Sequence, residues 1–246
     1  MSGFRRLAAS EILIYLREPS AFFFTMVFPL MLMMLFGSIW GNVPTPGGEY
    51  GYIDFSVPAF IGMVIATSGI MGLTINVASY RERGVLRRFR AAPITPVAIL
   101  MAQVTAVFVI TIGGVILLLL AGILVFGMHF WGSVPEVTFA FLLSSLSVAA
   151  LGFIPASLAP TTRSGVVTAN VMYFPMLFLS GAVLPASILP PFLRTASEVL
   201  PLTHVIRLLQ GLWLGGHLWD YPVQLAVLAG VLACGILVSV LCFRWE

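Results

Sequence analysis

The stretch SYRERGVLRRFRAAPITP, Ser79 to Pro96, holds five of the chain's twelve arginines and stands between two long apolar runs. A basic island flanked in this way reads as a short connection between two membrane crossings. The composition of the whole chain agrees. Of its 246 residues 60% are hydrophobic and 9% charged, and the mean hydropathy of +1.07 lies far outside the range of a soluble domain. With roughly 20 apolar residues needed per spanning helix, there is room for about six crossings and modest loops. The expected fold is an all-α membrane protein forming one domain over residues 1–246.

Six apolar runs can be drawn: Ala21 to Trp40, Ser56 to Ser79, Val97 to Phe126, Glu136 to Ala159, Val166 to Leu184, and Pro222 to Phe243. Each is long enough to span. If the N-terminus is cytoplasmic, Arg5, Arg6, Arg17, Arg81, Arg83, Arg87, Arg88, Arg90, Arg163 and Arg244 all fall inside, leaving only Arg194 and Arg207 outside. That bias sets the orientation expected for a multi-pass protein of the inner, cytoplasmic membrane with both termini inside. Glu11, Arg17 and Glu18 interrupt what would be the apolar core of a cleaved signal.

Two segments outside the crossings have helical character. Residues 1–19 read as a cytoplasmic amphipathic helix, with Arg6, Ser10 and Arg17 on one side, Phe4, Leu7, Ala8 and Tyr15 on the other, and Pro19 closing it. Residues 185–221 are too apolar for a solvated loop. Pro185, Pro190, Pro191 and Pro201 cut this stretch into two pieces, and Leu202, Ile206, Leu209 and Trp213 recur at helical spacing in the second. Neither piece can span, so two short external or re-entrant helices are expected.

The composition also excludes chemistry. All twelve basic residues are arginine and none is lysine, so a Walker A phosphate loop, a lysine Schiff base and a Ser-Lys dyad are all impossible in this chain. Cys234 and Cys242 lie eight residues apart on the last run, about 12 Å along a helix, and cannot pair within it. His129, His204 and His217 map to external segments without metal-ligand spacing. The sequence IATSGI, Ile65 to Ile70, has Ala66 where the serine motif of membrane proteases wants glycine, and no intramembrane histidine is available as base. No catalytic, cofactor or metal site is read.

Placed on a helix over Tyr80 to Ala92, the opening stretch gathers Val85, Leu86, Phe89 and Ala92 on one face, with Arg83, Arg87 and Arg90 on the opposite one. Pro93 then stops the helix. Topology alone would account for the arginines. It does not account for the apolar face threaded through them, or for Glu82, which weakens attraction to anionic lipid. Nucleic-acid binding is disfavoured, since neither stacking aromatics nor a folded basic surface accompanies the charge. A docking element for a cytoplasmic protein uses both faces.

The order of parts resembles the permease subunit of type-2 ABC exporters, the family of daunorubicin-type and nodulation-factor-type export permeases. Two segments carry the likeness: YRERGVLRRFRAAPITP, similar to the family's coupling segment, and LSGAVLPASILPPFLRTASEVLPLTHVIRLLQGLWLGG, Leu179 to Gly216, similar to its C-terminal signature. The resemblance implies six crossings, an N-terminal interface helix (1–19), and a cytoplasmic coupling helix at 80–96 between crossings 2 and 3. It also implies pairing with a second permease copy or paralogue, and docking of two cytoplasmic ABC ATPase subunits that bind ATP and Mg in this chain's stead. Glu82, Gly84, Leu86 and Pro93 match the coupling motif. Arg83, Arg87 and Arg90, together with Phe89, are assigned to docking from helical spacing.

Such a permease would move an amphiphile (drug, lipid or glycolipid class) outward, between two copies. Asn170 and Tyr173 in the fifth run, with Pro175 nearby, are candidates to line that path or to tie helices together by hydrogen bonds. The alternative is an ion-coupled secondary transporter, against which stands the lack of an ionisable residue in the central part of any run. A purely structural membrane subunit is a third possibility, distinguished by whether an ATPase is encoded beside it.

Overall fold

The computed structural model describes residues 12, 13, 15, 22–44, 50–85, 96–183 and 189–242, those at 96–100 and 240–242 by backbone alone. The helices are α1 (Phe23–Trp40), α2 (Tyr52–Glu82), α3 (Pro96–Phe126), α4 (Val134–Leu158), α5 (Thr162–Leu179), α6 (Pro191–Ser197), α7 (Pro201–Trp213) and α8 (Pro222–Cys242). Among the described residues the pairing of extended backbone is limited to one isolated bridge, Pro44 with Gly51.

Five helices, α1, α2, α3, α4 and α8, are long and apolar enough to cross a membrane. The fifth expected crossing is helical too. It nevertheless carries Arg163, Asn170, Tyr173 and Pro175 within 18 residues, and that polarity keeps α5 out of the set. The helix ends fall within a few residues of the expected runs.

The helices are not equivalent. Of the most apolar window in α2, 89% is buried inside the protein, against 22% in α1 and 17% in α8. α2 is therefore the axis, wrapped by α3, α4, α5 and α7, while α1 and α8 turn broad apolar faces outward. At about 1.5 Å per residue, its 31 residues reach about 46 Å, well past a hydrocarbon core of about 30 Å. Small residues allow the wrapping. A Cβ on Gly152 would collide with the carbonyl oxygen of Gly69, so α4 and α2 run backbone against backbone.

Two helices open into wider π turns at neighbouring places. In α1 the π stretch Phe23–Val27 comes immediately before Pro29, whose ring crowds the carbonyl four residues earlier and supplies no N–H. In α2 the π stretch is Thr67–Gly72. There the Thr67 and Ser68 hydroxyls donate to the Met63 and Val64 carbonyls, both at 2.8 Å, and side-chain donors of this kind compete with the backbone ladder.

The 185–221 segment forms the two proline-started helices expected, α6 and α7. Leu202, Ile206, Leu209 and Trp213 are all buried, but against the protein itself. α7 lies on α2, α4 and α8, so its apolar spacing records a core contact. A Cβ on Gly62 of α2 would come within 2.9 Å of Ile206. Tyr50 and Gln210 stitch the same region together by donating to the carbonyls of Leu214 and Phe55.

Candidate functional site

The arginine-rich tip of α2 is built by a helix ending. α2 stops at Glu82, Arg83 N–H donates to Ser79 O at 3.0 Å, and Gly84 N–H donates to Arg81 O at 3.0 Å. Gly84 takes φ +65°, the left-handed conformation that closes helices and favours glycine. Among the described residues no atom crowds its missing Cβ, and its left-handed backbone is itself the demand at this position.

This corrects the single helix expected over Tyr80 to Ala92. Arg83 and the left-handed Gly84 form a turn that interrupts the helix there, and Arg83 is exposed. The arginine spacing suggested a helix; the glycine between them is the stronger local signal. Leu86, Arg87, Phe89, Arg90 and Pro93 lie outside the described residues. So does most of the 1–19 helix, of which Ile12, Leu13 and Tyr15 are described as helical.

Beside this turn, two adjacent residues of α2 reach the connection between α4 and α5. Arg81 donates through Nη1 to the carbonyls of Ala156, at 2.9 Å, and Ala159. Glu82 accepts through Oε2 from the Thr162 N–H at 2.9 Å and from the Thr162 hydroxyl. Ala156 lies in the last turn of α4 and Thr162 opens α5. The start of α5 is itself fixed by a capping box, in which Thr161 and Ser164 bond to each other's backbone N–H. Neither Arg81 nor Thr162 stood out as a site residue in the sequence. The usable signals were an opposite-charge pair at a helix end and a Thr-x-x-Ser cap after an apolar run.

The two substrate-path candidates separate. Tyr173 is fully buried. Its hydroxyl lies 2.8 Å from Thr67 Oγ1, and since Thr67 gives its own proton to Met63 O, Tyr173 is the donor. It ties α5 to α2. Asn170, one turn away, instead lines a cavity of about 150 Å³ together with Thr67, Met71, Phe24 and Tyr15. Its Oδ1 is buried with no hydrogen-bond partner among the described residues.

Both π stretches contribute to this cavity, through Phe24 of α1 and through Thr67, Met71 and Gly72 of α2. Tyr15 closes one side. It is buried, its hydroxyl lies 2.9 Å from Thr25 Oγ1, and its ring occupies the space a side chain at Gly72 would need. Tyr15 itself is thus turned into the protein.

A second cavity, about 330 Å³, lies toward the other end of the bundle, with Pro58, Leu119, Met128, Phe141 and Leu209 among its lining residues. The histidines at that end are individually accounted for. His129 Nδ1 lies 3.9 Å from Asp54, His217 Nδ1 lies 3.5 Å from Glu136, and His204 Nε2 sits 2.8 Å from the Glu198 carbonyl.

An axial helix with a charged, glycine-turned tip, followed by four more apolar or mixed helices and a proline-cut return, can be compared with known proteins. The family model for ABC-2 type transporters matches residues 2–214. The chain belongs to the ABC-2 type transporter family. This ABC-2 chain is 27% identical over 176 residues to "Probable multidrug ABC transporter permease YbhR" of Escherichia coli (strain K12), an alignment covering 71% of the chain and 46% of that protein. It is 28% identical over 192 residues to nodulation protein J of Sinorhizobium fredii (strain NBRC 101917 / NGR234), covering 70% and 72%. A third relative, "Probable multidrug ABC transporter permease YbhS" of Escherichia coli (strain K12), is 22% identical over 174 residues, covering 70% and 45%. The chain spans about half the length of the Escherichia coli relatives it matches.

Proposed function

We propose that the chain is the membrane-spanning permease subunit of an ATP-driven ABC exporter. It crosses the cytoplasmic membrane six times with both termini inside, α5 being the more polar crossing, and residues 1–246 act as one permease domain. It pairs with a second permease copy or a paralogue, and two cytoplasmic ABC ATPase subunits dock beneath and supply the energy. The single observation that carries this reading is the ABC-2 match over residues 2–214; one relative's name is that of a probable multidrug ABC transporter permease.

The chemistry divides between chains. With no lysine, this chain has no P-loop, so ATP and Mg are held by the ATPases. The docking segment is 80–96, with Glu82, Arg83, Gly84, Leu86, Arg87, Phe89, Arg90 and Pro93 as its contact and coupling residues. Closure of the ATPases moves that segment, and the movement reaches the crossings because α2 continues directly from it to the centre of the bundle.

The cargo is an amphiphile. Asn170, lining a cavity with apolar Phe24 and Met71 beside polar Thr67, suits a ligand with a hydrocarbon body and a polar group able to donate to the Asn170 carboxamide oxygen. Tyr173 serves by holding α5 against α2.

The deciding experiment is co-purification of the chain with its native ATPase, followed by a screen of amphiphiles for stimulated ATP hydrolysis in vesicles. Stimulation is expected, and Asn170→Ala should change which amphiphiles stimulate while Tyr173→Phe should leave their order unaltered. If the chain alone drives solute uphill on an ion gradient, the exporter reading fails and the ion-coupled carrier replaces it.

A further inference from the structure

We propose that Arg81 and Glu82 form a clamp that joins α2 to the α4–α5 hairpin, so that a push on the segment after Gly84 tilts three helices as one lever. The proposal rests on the permease reading, and gives Arg81, Glu82 and Thr162 positioning roles inside the chain that are separate from ATPase contact.

The connection from α4 to α5 is only Ala159 to Thr161. So short a turn brings the C-terminus of one helix and the N-terminus of the next side by side. The first presents carbonyl oxygens without intrahelical donors and the negative end of its dipole. The second presents N–H groups without acceptors and the positive end. A neighbouring helix tip satisfies both, and both dipole ends, by offering a cation and an anion at adjacent places. α2 does this with consecutive residues. Arg81 donates to Ala156 and Ala159, and Glu82 accepts from both donors of Thr162. With the charges exchanged, each would meet the wrong end of a dipole.

The clamp is continuous with tight packing further in. Thr74 Oγ1 of α2 donates to Gly152 O of α4 at 3.0 Å. A Cβ on Gly165 of α5 would come within 2.8 Å of the Ala78 Cβ. Gly152 itself faces the Gly69 carbonyl. Three helices therefore share backbone-level contacts from Gly69 to Glu82, and they cannot slide separately without breaking hydrogen bonds in an apolar medium. By contrast, α1 has few of the residues in its apolar window buried and is free to follow rather than lead. α8 travels with α4, to which Ser147 Oγ ties it by donating to Leu228 O at 2.8 Å.

The test uses the full chain in vesicles of phosphatidylethanolamine and phosphatidylglycerol, with spin labels at the partly exposed Ser79 of α2 and the exposed Arg163 of α5. A narrow distance distribution is expected for the otherwise native chain, and a broad one for Thr162→Val and for Arg81→Met. Thr162→Ser, which keeps the hydroxyl and the backbone donor, should restore the narrow one. Unchanged width in both disrupting variants overturns the clamp.

The lever is tested in the complex with its native ATPases. On vanadate trapping, the Ser79–Arg163 spacing should stay constant while a control pair at Arg163 and Trp40 shifts. In Thr162→Val the Ser79 and Arg163 labels should separate instead. Separation of that pair in the native chain overturns the lever even if the ATPases bind and hydrolyse normally. A control pair that never responds to trapping overturns the permease reading, and the nucleotide-free widths then still decide the clamp.

Discussion

The two ends of α2 are held by different physics. At the Glu82 end the contacts are charged groups on helix termini at an exposed turn, with Arg81 and Glu82 reaching across to Ala156, Ala159 and Thr162. At the Tyr52 end the helix is packed beneath α7, and its one carboxylate there, Asp54, is buried. Asp54 Oδ1 accepts from the Asn42 side chain at 2.9 Å and the His129 N–H at 2.8 Å, while Asn42 Oδ1 accepts from the N–H groups of Ile53 and Asp54. One end is a reversible electrostatic grip and the other an enclosed anchor. In the proposed lever the anchored end is the pivot and the gripped end is the one pushed.

The largest effect should come from prying the gripped half of α2 away from α4. Gly152→Ala drives a methyl group into the Gly69 carbonyl, backbone against backbone, where neither side can yield by changing rotamer. A loss of about 3 kcal/mol is expected, seen as a lower thermal transition of the purified protein in detergent. Survival of the native transition would mean that the two helices pack less closely than described here.

Next in size is the anchor. Asp54→Ala removes the acceptor of the Asn42 amide, which keeps only a longer bond to Gly127 O, and of the part-buried His129 N–H, at a cost of about 1 kcal/mol. Limited proteolysis should then cut first in the loops around Asn42 and His129, leaving the Arg81 end intact. Equal cleavage at both ends would erase the distinction between anchor and grip.

The smallest effect concerns the turn between α6 and α7. Two hydrogen bonds from Arg207 to Glu198, both 2.5 Å, hold the Glu198 carboxyl below the usual carboxylate range. A carboxyl depressed in the folded state stabilises at pH values above its unfolded value, and that contribution disappears as the pH falls through the folded value. Because the pair is part-exposed, the gain is roughly 0.5 kcal/mol. Glu198→Gln should flatten the acid limb of a stability-against-pH curve by about that amount, and an unaltered limb would show that the pair contributes nothing.

Much of the layout was legible because hydropathy and proline report local facts. Apolar length marks spanning helices, and Pro191 and Pro201 begin α6 and α7 because a residue without an N–H fits a first turn. The burial of Leu202, Ile206, Leu209 and Trp213 followed from their spacing. What covers them did not, since apolar residues facing lipid and apolar residues facing protein look alike in a sequence. The same ambiguity hid α2 as the axis. Asn170 and Tyr173 stood three positions apart with similar claims, and only the position of Thr67 on another helix made one a tie and the other a cavity wall.

From the sequence alone came the number of apolar runs, the arginine asymmetry and the exclusion of a phosphate loop, because each depends on residue types along the chain. The tertiary structure decided which helix is central, that α2 ends in a left-handed turn at Gly84, and that Arg81 and Glu82 meet the ends of α4 and α5. Those depend on which dipoles and carbonyls come within about 3 Å of one another, a distance set by the packing of helices far apart in the chain.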